Sequence, residues 1–111
     1  MKRVEAIIAP EKLSVINDAL KKVGVGGVMV VSGKGRGAAR REAISSRGYY
    51  VPQFHARASI MTVVDDSKVE AVVNAILNAA TTVSSGDGKI FISTVGDAVD
   101  IGSKKRGTGT V

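Results

Sequence analysis

Twice along this chain a short β-like stretch gives way to an apolar stripe at helical spacing and then to a second β-like stretch. This doubled pattern limits the fold more than any other feature. In the first half, residues 2–9 are apolar and partly alternating, which predicts a strand ending before Pro10. Pro10 and Glu11 suit a first helical turn, and Leu13, Ile16, Leu20 and Val23 then form one stripe. Gly24 predicts the helix stop, and the β-branched run Val25–Val31 a second strand. In the second half the β pattern returns from Phe54 to Val64, and Asp65-Asp66-Ser67 supplies a capping-type helix start. The next stripe is Val69, Val72, Val73, Ile76 and Leu77, followed by a fourth strand over Lys89–Val95.

Two right-handed βαβ crossovers joined in this way predict an α+β, ferredoxin-like βαββαβ fold with a four-stranded antiparallel sheet. Strands one and three should lie at the centre, two and four at the edges, with both helices on one face. The other face would then stand uncovered with apolar side chains on it, and self-association through the sheet is the natural remedy. With 111 residues there is room for one domain, residues 1–111. Its glycine-rich tail, about 102–111, is expected to be mobile.

Between the halves, residues 32–53 show neither period and hold Gly33, Gly35, Gly37, Gly48 and Pro52. A structureless stretch of about twenty residues inside a small domain usually carries function. The charge points to the same place. Of a formal net charge of +6, residues 32–57 carry +5, from Lys34, Arg36, Arg40, Arg41, Arg47 and Arg57 against Glu42. Tyr49, Tyr50 and Phe54 lie there too. Such a patch implies an anionic partner: phosphate, nucleic acid, acidic lipid or an acidic protein surface. Cysteine is absent, which removes disulfides, thiol catalysis and thiolate metal sites. No apolar run is long enough to span a bilayer and no signal-peptide core follows Met1-Lys2-Arg3, so a cytoplasmic location is expected.

Two glycine-basic runs are candidate anion sites. In Gly86-Asp87-Gly88-Lys89 the glycines let backbone N–H groups converge on an anion and the lysine adds a point charge; a tight turn into the fourth strand explains the same residues. Gly33-Lys34-Gly35-Arg36-Gly37 reads as a phosphate-approaching loop or as a flexible loop base. Arg57, on the strand face opposite Ala56 and Ala58, is either an exposed stem or a phosphate or carboxylate clamp. His55, the one histidine, has no neighbours at metal-ligand or triad spacing. No catalytic constellation and no metal site is expected, and the chain reads as a non-enzyme.

These residues resemble the PII signal-transduction (nitrogen regulatory) proteins nearly from end to end. The resemblance rests on the opening Met1–Leu13 and on Thr82-Val83-Ser84-Ser85-Gly86-Asp87-Gly88-Lys89-Ile90-Phe91-Ile92-Ser93-Thr94-Val95, which fits the family's C-terminal signature throughout. It implies a homotrimer of ferredoxin-like subunits that binds ATP or ADP in the clefts between subunits. It also implies a target-docking T-loop between strands two and three, about residues 37–54. By resemblance Gly86, Asp87, Gly88 and Lys89 form the phosphate-binding loop, Gly35, Arg36 and Gly37 the T-loop base, and Met29 and Val63 lie near adenine. Arg57 stands where the family has the lysine that meets the γ-phosphate or 2-oxoglutarate.

The departures from the family shape the expected function. The T-loop is one residue short, and the uridylylation motif survives only as Ser46-Arg47-Gly48-Tyr49-Tyr50, with Tyr50 the best match to the modified tyrosine. Ala38 or Ala39 replaces the glutamine that ligates magnesium, so 2-oxoglutarate with Mg is expected to bind weakly or not at all. The two family arginines that reach a neighbour's phosphates align with Asp100 and Gly102, with Lys104, Lys105 and Arg106 close by. Arg40, Arg41, Arg47 and Tyr50 are the expected docking residues for an ammonium transporter or a nitrogen-metabolism enzyme. Two other readings are a paralogue sensing another ligand to control a different transporter, and a basic nucleic-acid-binding module. The last lacks the sheet aromatics on which bases would stack, since the central strands offer only Phe54 at one end.

Overall fold

Strand β1 (Lys2–Ile8) is the spine of the sheet, because it hydrogen-bonds antiparallel to strands on both sides. A computed structural model describes residues 1–37, 54–82 and 87–111. The chain runs from β1 through a 3-10 turn (Pro10–Lys12) into helix α1 (Leu13–Lys22) and then into β2 (Met29–Gly35). Strand β3 (His55–Val64), a second 3-10 turn (Asp66–Lys68), helix α2 (Val69–Ala80) and β4 (Gly88–Thr94) follow. The sheet order is β2-β3-β1-β4, so the expected centre and edges are the observed ones.

Alternation decides which side chains meet the helices. On β1, Val4, Ala6 and Ile8 are buried, and across the ladder Ile60, Ala58 and Val64 of β3 join them. Ile16 and Leu20 of α1 and Val72 and Ile76 of α2 close this core from the helix side. Thr62 is the buried polar residue there, and its hydroxyl donates to the Gly27 carbonyl at 2.7 Å. That bond offsets the cost of taking the hydroxyl out of water.

The helix ends follow the local chemistry of the sequence. Gly24 has φ +84°, its N–H bonds Lys21 O, and the Val25 N–H reaches back to Leu20 O. Two such bonds across a left-handed glycine make a Schellman stop, and they hold Val25 in the core. At the other helix, Asp65 Oδ2 accepts from both the backbone N–H (3.0 Å) and the hydroxyl (2.6 Å) of Ser67. These two bonds hold the Asp65 carboxyl below its ordinary value of 3.8, the hydroxyl contributing most. A carboxylate so favoured in the folded state adds stability above the unfolded value, and that stability is lost as pH falls through the lowered folded value. Asp65→Ala is therefore expected to melt at lower temperature than the parent at neutral pH. The gap should close as pH is brought below 3.8, as followed by circular dichroism.

Strand β2 corrects the sequence reading twice. It begins at Met29, later than the expected Val25, because the Schellman turn and the Gly27–Thr62 bond commit residues 24–27 to leaving the helix. It also runs on through Gly35, into residues read as aperiodic, with Gly33 opposite Arg57 and Gly35 opposite His55. A strand paired along its length needs no side-chain alternation to form, and glycine hides the period that would have marked it. Residues 38–53, most of the expected T-loop with Arg40, Arg41, Arg47 and Tyr50, lie outside the described residues, as does Gly86.

Among the described residues, nothing covers the face away from the helices. One straight row crosses it as Met29, Met61, Glu5 and Phe91, and the next as Val31, Ser59, Ile7 and Lys89. Met29 is 60% exposed and Phe91 55%. Glu5 at the middle of the first row accepts from the Ser59 hydroxyl at 2.7 Å, and Arg3 lies 3.8 Å from the same oxygen.

Candidate functional site

The end of the sheet where β2 finishes and β4 begins gathers most of the described candidate residues. Period-two alternation puts Arg57 on the open face, opposite the buried Ala58. The ladder puts Lys89 on the same face, beside Ile7 of β1. Sheet spacing places the two Cα positions roughly 12 Å apart with one strand between them, so both long cationic side chains can bend toward one anion. The face is widened here by what β2 lacks, since Gly33 and Gly35 both present bare backbone beside Arg57. A Cβ on Gly35 would come within 3.2 Å of Arg57 Cγ, whereas one on Gly33 would meet nothing within 4 Å. Nη1 of Arg57 is closed off from solvent.

The glycine-basic run therefore divides its duties. Its glycines 33 and 35 line the open face, while Lys34, opposite Ala56, projects to the helix side. Lys34 thus stands apart from the face that holds Arg57 and Lys89, contrary to a loop in which all these charges converge. Arg36 and Gly37 follow the last strand residue and are exposed.

Gly88 is fixed by the fold itself. Its φ is +122°, and a Cβ there would lie 1.9 Å from the Ile7 carbonyl oxygen. Only glycine lets the chain enter β4 this close to β1. Immediately before it, Asp87 folds back on the end of the helix connection. Its Oδ2 accepts from the Thr82 backbone N–H at 2.8 Å and its Oδ1 from the Thr82 hydroxyl. The Asp87 carboxylate is thus a brace holding residues 82 and 87 together, a role for Thr82 that spacing alone did not indicate.

Met29 and Val63 lie toward the other end. Met29 pairs with Met61 and Val63 with Arg3, and Val63 lies six positions along β3 from Arg57, about 20 Å of strand. One protomer does not bring these two residues together with Arg57, Gly88 and Lys89. Among the described residues no group of three or more His, Cys, Asp or Glu side chains could hold a metal ion. Among them also, no helix is long and apolar enough to cross a membrane.

After β4, residues 97–107 form a hairpin. Val99 bridges Arg106, the Asp100 N–H donates to Lys105 O at 2.9 Å, and Gly107 N–H to Ala98 O at 3.0 Å. The Ser103 N–H bonds Asp100 Oδ2 at 2.8 Å; with the Ser103 hydroxyl it holds the Asp100 carboxyl below its ordinary value. Lys104 and Lys105 stand exposed at the turn.

Comparison with known families and proteins gives a consistent result. The family model described as Nitrogen regulatory protein P-II matches residues 1–105. A Nitrogen regulatory protein P-II of Rhizobium meliloti (strain 1021) is 41% identical over 108 residues, covering 96% of either chain. Proteins of the same name from Cereibacter sphaeroides and Nostoc punctiforme (strain ATCC 29133 / PCC 73102) are 42% and 39% identical, with all of either chain covered.

Proposed function

Because the chain belongs to the nitrogen regulatory protein P-II family, we propose that it is a signalling regulator that binds ATP or ADP between the subunits of a homotrimer. The nucleotide state then sets how the loop between β2 and β3 engages a target. An ammonium transporter or a nitrogen-metabolism enzyme is the target class proposed, and the setting is cytoplasmic. The observation that carries this reading is the presence of Arg57 and Lys89 on one open sheet face, at the end where β4 starts at Gly88, just after Asp87 bonds back to Thr82.

The donors at this end fit a polyphosphate. Lys89 supplies a compact charge, Arg57 a planar fork suited to two oxygens at once, and the glycines of β2 leave room for close approach. Met29 and Val63, at the far end of the same face, are proposed to meet the adenine of a nucleotide whose phosphates lie on another copy. Gly35, Arg36 and Gly37 would link the phosphates to the docking loop, to which Arg40, Arg41, Arg47 and Tyr50 belong, with Tyr50 the proposed modification site. The uncovered face with Met29, Val31, Met61 and Phe91 supports self-association. A ligand that prefers one loop conformation shifts the population toward it by its difference in affinity for the two states, which is all the coupling a regulator needs.

Calorimetry with ATP, ADP and AMP tests the reading. ATP and ADP should bind, and 2-oxoglutarate with magnesium should change ATP affinity little, given Ala38 and Ala39. No binding of any of the three nucleotides at millimolar concentration would overturn it.

A further inference from the structure

The one histidine of the chain opens β3 at the end of the sheet that holds Arg57 and Lys89. His55 stands two residues before Arg57, so it lies on the same open face, its Cα about 7 Å away along the strand. Its partner across the ladder is Gly35. The Arg57 stem leans toward that glycine, since a Cβ on Gly35 would lie 3.2 Å from Arg57 Cγ and 4.0 Å from Arg57 Cβ. Bare backbone at Gly35 therefore leaves a space that both side chains border. His55 is half-buried, and among the described residues its ring enters neither a hydrogen bond nor an ion pair. The charges around it are accounted for element by element. Arg57 shares its strand, and Arg36 follows its partner Gly35 on β2, while Lys34 goes to the helix side. Of the 3-10 turn that packs against β3, Glu11 lines the helix-side groove with Val28 and Val30, and Lys12 follows it. The described carboxylates on the open face and at its β4 edge are already engaged, Glu5 with Ser59 and Arg3, Asp87 with Thr82.

We infer that His55 is a third cationic contact of this site: as imidazolium it meets the terminal phosphate of ATP, beyond Arg57 from Lys89, and couples ATP affinity to pH. The contact rests on the nucleotide reading above and names a condition to which that site responds. Sheet spacing puts the Cα atoms of His55 and Lys89 about 16 Å apart, so the two serve different phosphates of one chain, with Arg57 between them. Histidine is the side chain whose charge ordinarily changes between about pH 5 and 8. Arg57 and Arg36 disfavour a further positive charge in the empty site, whereas a bound polyphosphate favours it. ATP binding therefore transfers a proton from the buffer to the imidazole nitrogen. By linkage the protonated ring strengthens binding, and this gain is lost as pH rises and the ring gives up its proton. ADP lacks the terminal phosphate, so its affinity gains less from the ring.

Calorimetry with ATP and ADP at about pH 6 and about pH 8 tests the contact, with the parent and His55→Gln compared at each pH because ATP titrates as well. At the lower pH the parent should bind ATP about three- to tenfold more tightly than His55→Gln, and at the higher pH the two should agree. The difference should be smaller for ADP. His55→Lys, which keeps its charge, should hold the advantage over His55→Gln at both. The parent also reports without any substitution, because one histidine gives one set of imidazole proton signals in NMR. Near neutral pH, adding ATP should move these signals toward their acid-form positions, and ADP should move them less. Ring signals that stay still while ATP binds, or a His55→Gln affinity within about twofold of the parent at both pH values, would overturn this contact and leave nucleotide binding standing. A parent chain that binds neither ATP nor ADP at millimolar concentration would overturn both.

Discussion

Gly88→Ala is expected to destabilise the fold by about 3–5 kcal/mol, more than any other single glycine change among the described residues. Two causes add. A left-handed φ of +122° is strained for any L side chain, and the new methyl would lie 1.9 Å from the Ile7 carbonyl oxygen. That oxygen belongs to the central strand, so it cannot swing aside as a side-chain tip could. Relief requires β4 to part from β1 at its start, which withdraws Lys89 from its place beside Ile7. Urea denaturation should show the midpoint fall sharply. Gly33→Ala and Gly96→Ala, whose methyls meet nothing within 4 Å, should change it by no more than about 1 kcal/mol. A Gly88→Ala midpoint within the range of those two controls would show that the β1–β4 approach is looser than described.

Lys89→Ala is expected to weaken ATP binding by about 10- to 100-fold while leaving the melting temperature nearly unchanged. Removal of one charge-assisted hydrogen bond costs roughly 1.5–3 kcal/mol, and each 1.4 kcal/mol is a factor of ten in affinity. Lys89 is exposed, so its loss touches no buried group. Arg57→Gln should weaken ATP to a similar extent. Arg57→Lys should be intermediate, because it keeps the charge and gives up the two-pronged geometry. Both losses should be smaller for AMP, which offers fewer phosphate oxygens, and should shrink as salt is raised. An ATP affinity within twofold of the parent for Lys89→Ala would remove this end of the sheet as the phosphate site. Its fold is untouched, so the result would bear on binding alone.

Much of the fold could be read from local chemistry because each signal acts over a few residues. Pro10 starts a turn by its fixed φ, Gly24 ends a helix by adopting a positive one, and Asp65 caps by accepting from Ser67. The apolar stripes of α1 and α2 need only the helical period to be seen. Strand β2 escapes a local reading because Ser32-Gly33-Lys34-Gly35 has no apolar alternation, and its pairing partners lie twenty or more residues away. Once β3 supplies the ladder, the same residues become an edge strand and their glycines acquire a direction. The hairpin at 97–107 is likewise made by backbone bonds and Asp100, with little apolar pattern to announce it. In the site, Arg57 and Lys89 are legible as charges in the sequence, but which face they share is a matter of register.

By itself the sequence determined the order of elements, the central and edge strands, the helix ends and the family signature. Each of these depends on periodicity, backbone preference or an uninterrupted motif. Tertiary structure alone decided that Lys34 leaves the face which Arg57 and Lys89 share, that Gly88 is demanded by a carbonyl of β1, and that Asp87 bonds back to Thr82. Those facts depend on distances between residues far apart in the chain. A one-residue change of register would have reversed the faces without altering a single local signal.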